Sequence, residues 1–433
     1  MAIFQVLPIV YQSQDISFTT WVSLFTLGLA PLAAHIVVGV PQPSYLLNGR
    51  RPKWYKHICH YNPTSIIWRY AMITDRRIRA KAWDRADTAA TNALFWTARG
   101  WDGSEAMVME SLPYCAHLPE HARATLLSRE MIKAAIVLLQ GAQALVMTLR
   151  GLGTTHASDS FVHWMAVDSI FYPLSIMGLL RLCCSFWLTD DFAYNTLPTP
   201  KAIHAFPHRW QDNVQGSRNS VDSLIEGSLQ IDTANGGRFL PTIFWASRVF
   251  RVLYVLPILA MSVTTILYMG PWTKDLSNAT STSYTTTSFL FNLFYLYLTF
   301  TMAVICGCYL AVGHTSTVIP CISALWYKVH TILTFIFGVV LVVVSCIETR
   351  KTPCGKYTSG SGRLADMDAC VDGHSSLIPL GPDFSNFGLA STQIGNENSS
   401  RTQGFWVYNF AGTCIGDLDN KSAVPVELGA GDV

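Results

Sequence analysis

The apolar residues of this chain fall in long blocks separated by polar stretches. Six blocks approach the length of a spanning helix, about 20 residues for a hydrocarbon core ~30 Å thick at 1.5 Å rise per residue. They cover residues 18–40, 133–150, 162–188, 242–269, 288–312 and 329–346. Pro31 and His35 lie in the first, and Pro173, Pro257 and Gly338 interrupt later ones; membrane helices tolerate such kinks. The second block is the shortest. Its end charges, Lys133 and Arg150, can snorkel to the headgroups and lengthen the span; otherwise it reads as a buried helix of a soluble domain. Residues 1–15 lack the basic start and apolar run of a signal peptide, so the first block reads as a retained anchor.

Composition supports a membrane class. The chain has 433 residues, of which 50% are apolar and 13% charged, against about 25% charged in soluble domains. Mean hydropathy is +0.28. The net charge of +2 lacks the basic footprint of a nucleic-acid binder, so no nucleic-acid partner is expected. The pattern predicts an all-α membrane protein with six transmembrane helices, and its first partner is the lipid bilayer.

Charge placement sets the orientation. Residues 41–132 hold thirteen Lys and Arg and residues 189–241 hold four, whereas residues 1–17 and 151–161 hold none. By the positive-inside rule those two long loops are cytosolic and both termini are non-cytosolic. The sequons at Asn278, Asn398 and Asn420 all fall on the side called outer, where glycosylation occurs. So do Cys354, Cys370 and Cys414, with Cys346 at the membrane edge; four cysteines in an oxidising compartment allow two disulfides in three connectivities. Trp21, Trp164, Trp187, Trp245, Trp272 and Trp326 lie near block ends, as an aromatic belt requires. The organisation is an outer N-terminus with the first span (1–40), a large cytosolic loop (41–132), two spans (133–188), a second cytosolic loop (189–241), three spans (242–346) and an outer glycosylated tail (347–433). The membrane is one of the endomembrane system or the plasma membrane.

The first cytosolic loop carries the clearest polar pattern. Asn62-Pro63 is a helix start, and Ile66, Ile67, Tyr70, Ile73 and Ile78 follow at mostly three- to five-residue steps. Arg69, Arg76, Arg77, Arg79, Lys81 and Arg85 occupy much of the rest. Residues 64–86 therefore read as a basic amphipathic helix on the membrane surface, where anionic lipid contributes about 1 kcal/mol per cation. The alternative is a helix packed on its own loop. Asp102-Gly103 marks a turn, and Trp96 and Trp101 read either as a packing pair or as a contact surface for a ligand or partner. Cys59, His60, Cys115 and His117 have ligand types for zinc, but their spacing matches no zinc signature.

Ionisable groups at membrane depth are functional candidates. Asp168 lies about 9 Å inside the outer end of the third block by helical rise. It is either a binding or proton-transfer group or a hydrogen-bonded contact beside Ser169 and Tyr172. Arg181, thirteen residues on, is too far along one helix to pair with it. Arg248 and Arg251 share a face at the start of the fourth block and suit Asp190, Asp191 or lipid phosphate as partners. The sequence holds no Walker loop, GxSxG, HExxH or dinucleotide fingerprint, so it names no cofactor. It also shows no internal repeat of the transporter kind.

Beyond residue 348 the composition shifts to Gly, Ser, Asp and Thr, with a strand-like run at 404–410. Residues His35 and Gly39-Val40-Pro41, Arg51-Pro52-Lys53-Trp54, 60–65, 92–96 and 100–105 resemble uncharacterised multi-pass integral membrane proteins of filamentous fungi. The resemblance covers the first half best and implies neither an activity nor catalytic residues. It does imply a role near a secondary-metabolite pathway. The expected function is that of an accessory protein that recruits partners or lipid. The alternatives are a small-molecule transporter using Asp168 and a membrane-embedded enzyme acting on an apolar, isoprenoid-type substrate.

Overall fold

A computed structural model describes residues 4–46, 51–125, 127–153, 165–197, 238–269, 282–352, 356–361, 378–379, 389–395 and 404–409. The chain is mostly helical. In chain order the helices are α1 (Phe18–Gly39), α2 (Trp54–His57), α3 (Pro63–Arg79), α4 (Arg85–Asn92), α5 (Met107–Glu110), α6 (Arg129–Gly153), α7 (Tyr172–Gly178), α8 (Trp245–Met269), α9 (Thr286–Val312) and α10 (Leu325–Glu348). Five of them, α1, α6, α8, α9 and α10, are long and apolar enough to cross a membrane.

These helices begin and end for local reasons. The Ser17 side chain caps α1 by accepting from the Thr20 N–H, and Thr285 caps α9 through the Ser288 N–H. The α9 helix stops at Gly313, whose φ of 87° is a left-handed conformation that glycine adopts without penalty. Outward faces of the long helices carry rows of exposed apolar side chains: Val252, Leu256, Leu259, Val263 and Ile266 on α8, and Ile332, Ile336, Val339 and Val343 on α10. Water disfavours such continuous rows, and lipid does not.

The third apolar block is not one straight helix. A turn at 167–170 leads into α7, then into 3-10 turns at Leu179–Cys183 and Ser185–Trp187. Pro173 sits in the first turn of α7, where its missing N–H costs nothing. This irregular segment is wedged between α1 and α6 at close range. A Cβ on Gly28 of α1 would meet the Val167 carbonyl oxygen at 2.4 Å, and one on Gly141 of α6 would meet Leu179 at 2.5 Å. Small residues let backbones approach in this way.

The helix expected on the membrane surface, α3, is instead in the interior. Asn62 caps it by accepting from the Thr64 N–H at 2.9 Å, and Pro63 opens it. Of its residues only Arg77 and Ile78 are not buried. It lies across the ends of the long helices. Arg69 donates to the Gly39 carbonyl at the end of α1, and Tyr254 of α8 donates to the Ile67 carbonyl at 2.8 Å. Trp68 meets Tyr309 near the end of α9 edge-on. Asn62 donates to Thr331, and Ser65 bonds Tyr327, near the start of α10. The reason is packing: apolar Ile66, Ile67, Trp68, Met72 and Ile73 point to several sides of the helix and all need burial.

Over α3 the first loop folds into a cap. Pro43–Tyr45 pairs in parallel with Leu94–Thr97, which forms a hairpin with Gly100–Asp102; Gly100 takes a φ of 107°. Trp96 and Trp101 meet edge-on within that hairpin, as a packing pair should. Phe95, Ala90, Ala93, Met107 and Val108 form a second small core there.

The opposite end of the bundle gathers the N-terminal strand, the start of α9 and the chain that follows α10. Phe4–Val6 pairs in parallel with Thr282–Tyr284. The Glu348 carboxylate accepts from the Thr287 N–H at 2.7 Å, and the Val167 N–H donates to Thr349 at 3.1 Å. Further along the chain, Gly404–Asn409 is a strand, paired antiparallel with Leu389–Gly395 and Ile378–Pro379. Trp245 and Trp326 are exposed at the starts of α8 and α10, whereas Trp21 and Trp187 pack on the core. Trp164, Trp272, the sequons at Asn278, Asn398 and Asn420, and Cys354, Cys370 and Cys414 lie outside the described residues. Cys346, in α10, is half-buried and has no disulfide partner among the described residues.

Candidate functional site

The charged residues of α3 converge on one buried carboxylate. Asp75 is fully buried. It accepts from Arg251 Nε at 3.0 Å and Nη2 at 2.9 Å, from Arg79 Nε at 2.9 Å, and from the Ser247 hydroxyl. Burial works against its charged form, but the hydrogen bond from Arg251 and the nearby Arg79 outweigh that and hold its pKa below the usual carboxylate range. Arg79 also bonds Glu105 and the Leu240 carbonyl. Arg251 reaches the Leu310 and His314 carbonyls at 3.1 and 3.2 Å. One carboxylate thus ties α3 to α8, and its arginines tie in the end of α9 and the 105 and 240 segments.

The expected surface cations are therefore largely internal. Arg69, Arg76 and Arg79 are buried. Arg76 donates to the Gly103 and Thr315 carbonyls and to Thr91, and Arg69 to the Gly39 and Asn92 carbonyls. Burial lowers the pKa of each to about 10, so both remain cations at neutral pH. Arg77 lies against the rings of Trp83 and Trp187 at 5.7 and 5.9 Å. Only Lys81 and Arg85 of the six are exposed. This corrects the membrane-surface assignment of the helix: unpaired guanidinium groups are costly inside, and the fold supplies each buried one with partners. Arg251 and Arg248 also part company, the first buried on Asp75 and the second exposed. Asp190 pairs with Lys133 instead.

A second polar cluster lies where α6, α7 and α3 meet. Arg181 is 1% exposed and donates to Glu130 at 2.5 Å; its guanidinium also faces the Tyr70 ring at 5.8 Å. His35, Tyr70, Gln140, Ser175 and Arg181 border a small cavity. It leaves about 10 Å³ for the centre of a water molecule, room for one water. His35 Nε2 and Ser175 Oγ have no hydrogen-bond partner in the protein, which suits a water held there. Glu130 also lines an open cleft of about 480 Å³ formed by residues 119–130 and 188–191. At its edge His117 Nε2 and Asp191 Oδ1 are 3.0 Å apart, and Lys133 spans Glu130 and Asp190. Both acids and bases line this cleft, so it suits a small polar ligand or a polar partner loop better than an apolar substrate. Sequence reasoning missed Glu130. Its only signal was an acid in the first turn of a helix, a favourable place for negative charge.

Asp168 lies in the turn before α7 and is half-buried. It belongs to the end of the bundle opposite α3, beside the Val167–Thr349 hydrogen bond, and Tyr172 and Tyr357 lie close enough to sense its charge. The fold does not bring it to Arg181, which stands at the other end of the same segment. The four candidate zinc ligands are likewise not assembled. Cys59 is buried, and His60 packs edge-on against Trp101 at 4.5 Å. The Cys115 thiol donates to the His117 carbonyl, and the His117 ring is engaged by Asp191. Burial pushes the Cys59 and Cys115 thiols up, away from the thiolate a metal needs. Among the described residues no group of three or more His, Cys, Asp or Glu is placed to hold a metal ion.

The Asp75 cluster predicts the effect of a nearly isosteric change. Asp75→Asn leaves Arg251 and Arg79 buried beside a neutral amide, a loss of about 3–5 kcal/mol for a broken buried pair. The thermal midpoint of the full chain in mild detergent should fall sharply, with Lys81→Gln unchanged. His60 predicts a pH dependence. Burial, then His57 and Arg69, lower its pKa to about 3, so the unfolded chain binds a proton near pH 6.5 that the folded chain refuses. Stability should drop as pH falls below 6.5, by up to about 2 kcal/mol at pH 5. His60→Gln should flatten the fall in thermal midpoint between pH 7.5 and 5.

No protein-family model, no curated protein and no solved structure matches this chain.

Proposed function

We propose that this chain is a six-pass membrane protein with both termini on the non-cytosolic side. Its work is that of an accessory protein, and the cap over α3 is the cytosolic working surface. The observation that carries the reading is α3 itself. It is tied to the end of α1, the start of α8, the end of α9 and the start of α10, and through Tyr70, Arg181 and Glu130 to the start of α6. Every helix end at α3 is therefore the end that the positive-inside rule makes cytosolic. The irregular 165–188 segment supplies the sixth pass, since it runs from the Thr349 end to the α3 end.

With its cations paired internally, α3 serves to stiffen a platform. The polar cleft of residues 119–130 and 188–191 is the part of the platform open to a partner. A role beside a secondary-metabolite pathway of a filamentous fungus is part of this proposal and rests on the resemblance of residues 35–105. Glycans at Asn278, Asn398 and Asn420 and disulfides among Cys346, Cys354, Cys370 and Cys414 belong to it as well. A second reading, transport or membrane-embedded catalysis through Asp168, draws on one observation: that half-buried carboxylate forms no ion pair among the described residues.

Two measurements test the proposal. For topology, Asn278→Gln should remove one glycan step from the full-length protein, and an acceptor sequon placed in residues 198–237 should stay unmodified; modification there overturns the orientation. For function, untargeted metabolite profiles of a strain lacking the gene should be restored by Asp168→Asn. They should not be restored by a double Asp190→Lys, Asp191→Lys change that is expressed at the normal level. The reverse pattern would move the activity to Asp168.

A further inference from the structure

Four cations lie over three aromatic rings, Tyr45, Tyr55 and Trp96, at the α3 end of the bundle. Lys53 and Lys328, from segments far apart in sequence, both place Nζ 6.0 Å from the centre of the Tyr55 ring. Lys56 lies over Trp96 at 5.0 Å, and Arg51 over Tyr45 at 5.7 Å. None of the four forms an ion pair among the described residues. Nor can a nearby carboxylate in sequence supply one. No acid occurs between Asp15 and Asp75, or between Asp275 and Glu348. Like charges gathered without a counter-charge repel, and an external anion relieves that repulsion.

The surroundings identify the anion's carrier. Trp54 is 75% exposed, Leu325 77% and Trp326 52%. Leu325 and Trp326 begin the row of outward apolar side chains that continues down α10 through Val329, Ile332 and Ile336. The corner is thus continuous with the lipid-facing surface and stands at headgroup height, where Trp, Tyr and Lys anchor membrane proteins. We infer that Lys53 and Lys328, which flank Tyr55, and Lys56, over Trp96, bind the headgroup of an anionic phospholipid of the cytosolic leaflet, with Trp54, Leu325 and Trp326 seated at the acyl boundary. The inference rests on the orientation proposed above. It moves lipid recognition from the buried arginines of α3 to a corner that is open to receive it.

Native mass spectrometry of the full chain in detergent tests the site, with dioleoylphosphatidylserine, dioleoylphosphatidylcholine and inorganic phosphate as separate probes. The phosphatidylserine adduct should survive at roughly a hundredfold lower lipid concentration than the phosphatidylcholine adduct. Each cation near an anionic surface is worth roughly fivefold, so the triple Lys53→Gln, Lys56→Gln, Lys328→Gln variant should lose that preference. Lys53 is exposed, Lys56 and Lys328 are half-buried, and none forms an ion pair among the described residues, so the variant should stay folded with a thermal midpoint close to wild type. A double Lys81→Gln, Arg85→Gln variant removes exposed cations elsewhere and should retain the preference. Equal retention of the two lipids, a preference that persists in the triple variant, or inorganic phosphate binding as well as phosphatidylserine each overturns the proposal. An acceptor sequon inserted at residues 47–50 separates the two readings. Glycosylation there refutes the orientation, whereas loss of lipid preference without it refutes only the site.

Discussion

A carboxylate with no access to water holds this molecule together. Asp75 is fully buried and takes hydrogen bonds from Arg251, Arg79 and Ser247. Each arginine is then held by further acceptors: Arg79 by Glu105 and the Leu240 carbonyl, Arg251 by the Leu310 and His314 carbonyls. Such a network is stable only when every member is satisfied. That requirement fixes α3 against α8 and α9 in one register, and much of the cap follows from it. Gly103 shows how tight the result is: its carbonyl takes Arg76, and a Cβ there would meet Thr317 and the Val318 backbone below 3 Å.

Around that centre two solvents divide the surface. The long helices turn apolar rows outward and keep their polar side chains for each other or for their own carbonyls, as Thr299, Thr334 and Ser262 do. The buried ion pairs cluster at one end, near α3. The Arg181–Glu130 pair sits between a cavity with room for one water and the open cleft. It closes the interior at the point where α6 begins, and Lys133 and Asp190 extend the ion pairing outward to solvent. Arg238 does similar work at the cap edge. It spans Asp84 and Asp87, the two residues that form the capping box of α4, and so anchors the chain as it leaves the second long loop.

The long apolar helices were legible in sequence because crossing lipid imposes a simple rule: about 20 apolar residues, whatever their order. Five of the six apolar blocks became long helices for that reason. The third was legible as apolar but not as irregular. Its breaks at Pro173 and the 3-10 turns at Leu179–Cys183 depend on wedging between α1 and α6, where Gly28 and Gly141 admit the backbone. Packing of Trp96 on Trp101 was readable from their closeness in sequence, but the hairpin that joins them was not: it turns at 98–99, not at Asp102-Gly103.

Helix α3 marks the boundary between the two kinds of information. Its sequence alone determined that residues after Asn62-Pro63 would be helical, with apolar and basic positions interleaved. It did not determine the helix's surroundings. A basic amphipathic pattern is the same whether the cations meet lipid phosphate, water or buried carbonyls, because periodicity records which residues share a face and not what that face meets. Only the tertiary structure supplied Asp75, Glu105 and the carbonyls of Gly39, Asn92 and Gly103 as partners, and so turned a surface pattern into a core. Conversely, Lys53, Lys56 and Lys328 carry no periodic signal. The meeting of Lys53 and Lys328 at Tyr55 joins segments 275 residues apart, a distance that only folding closes.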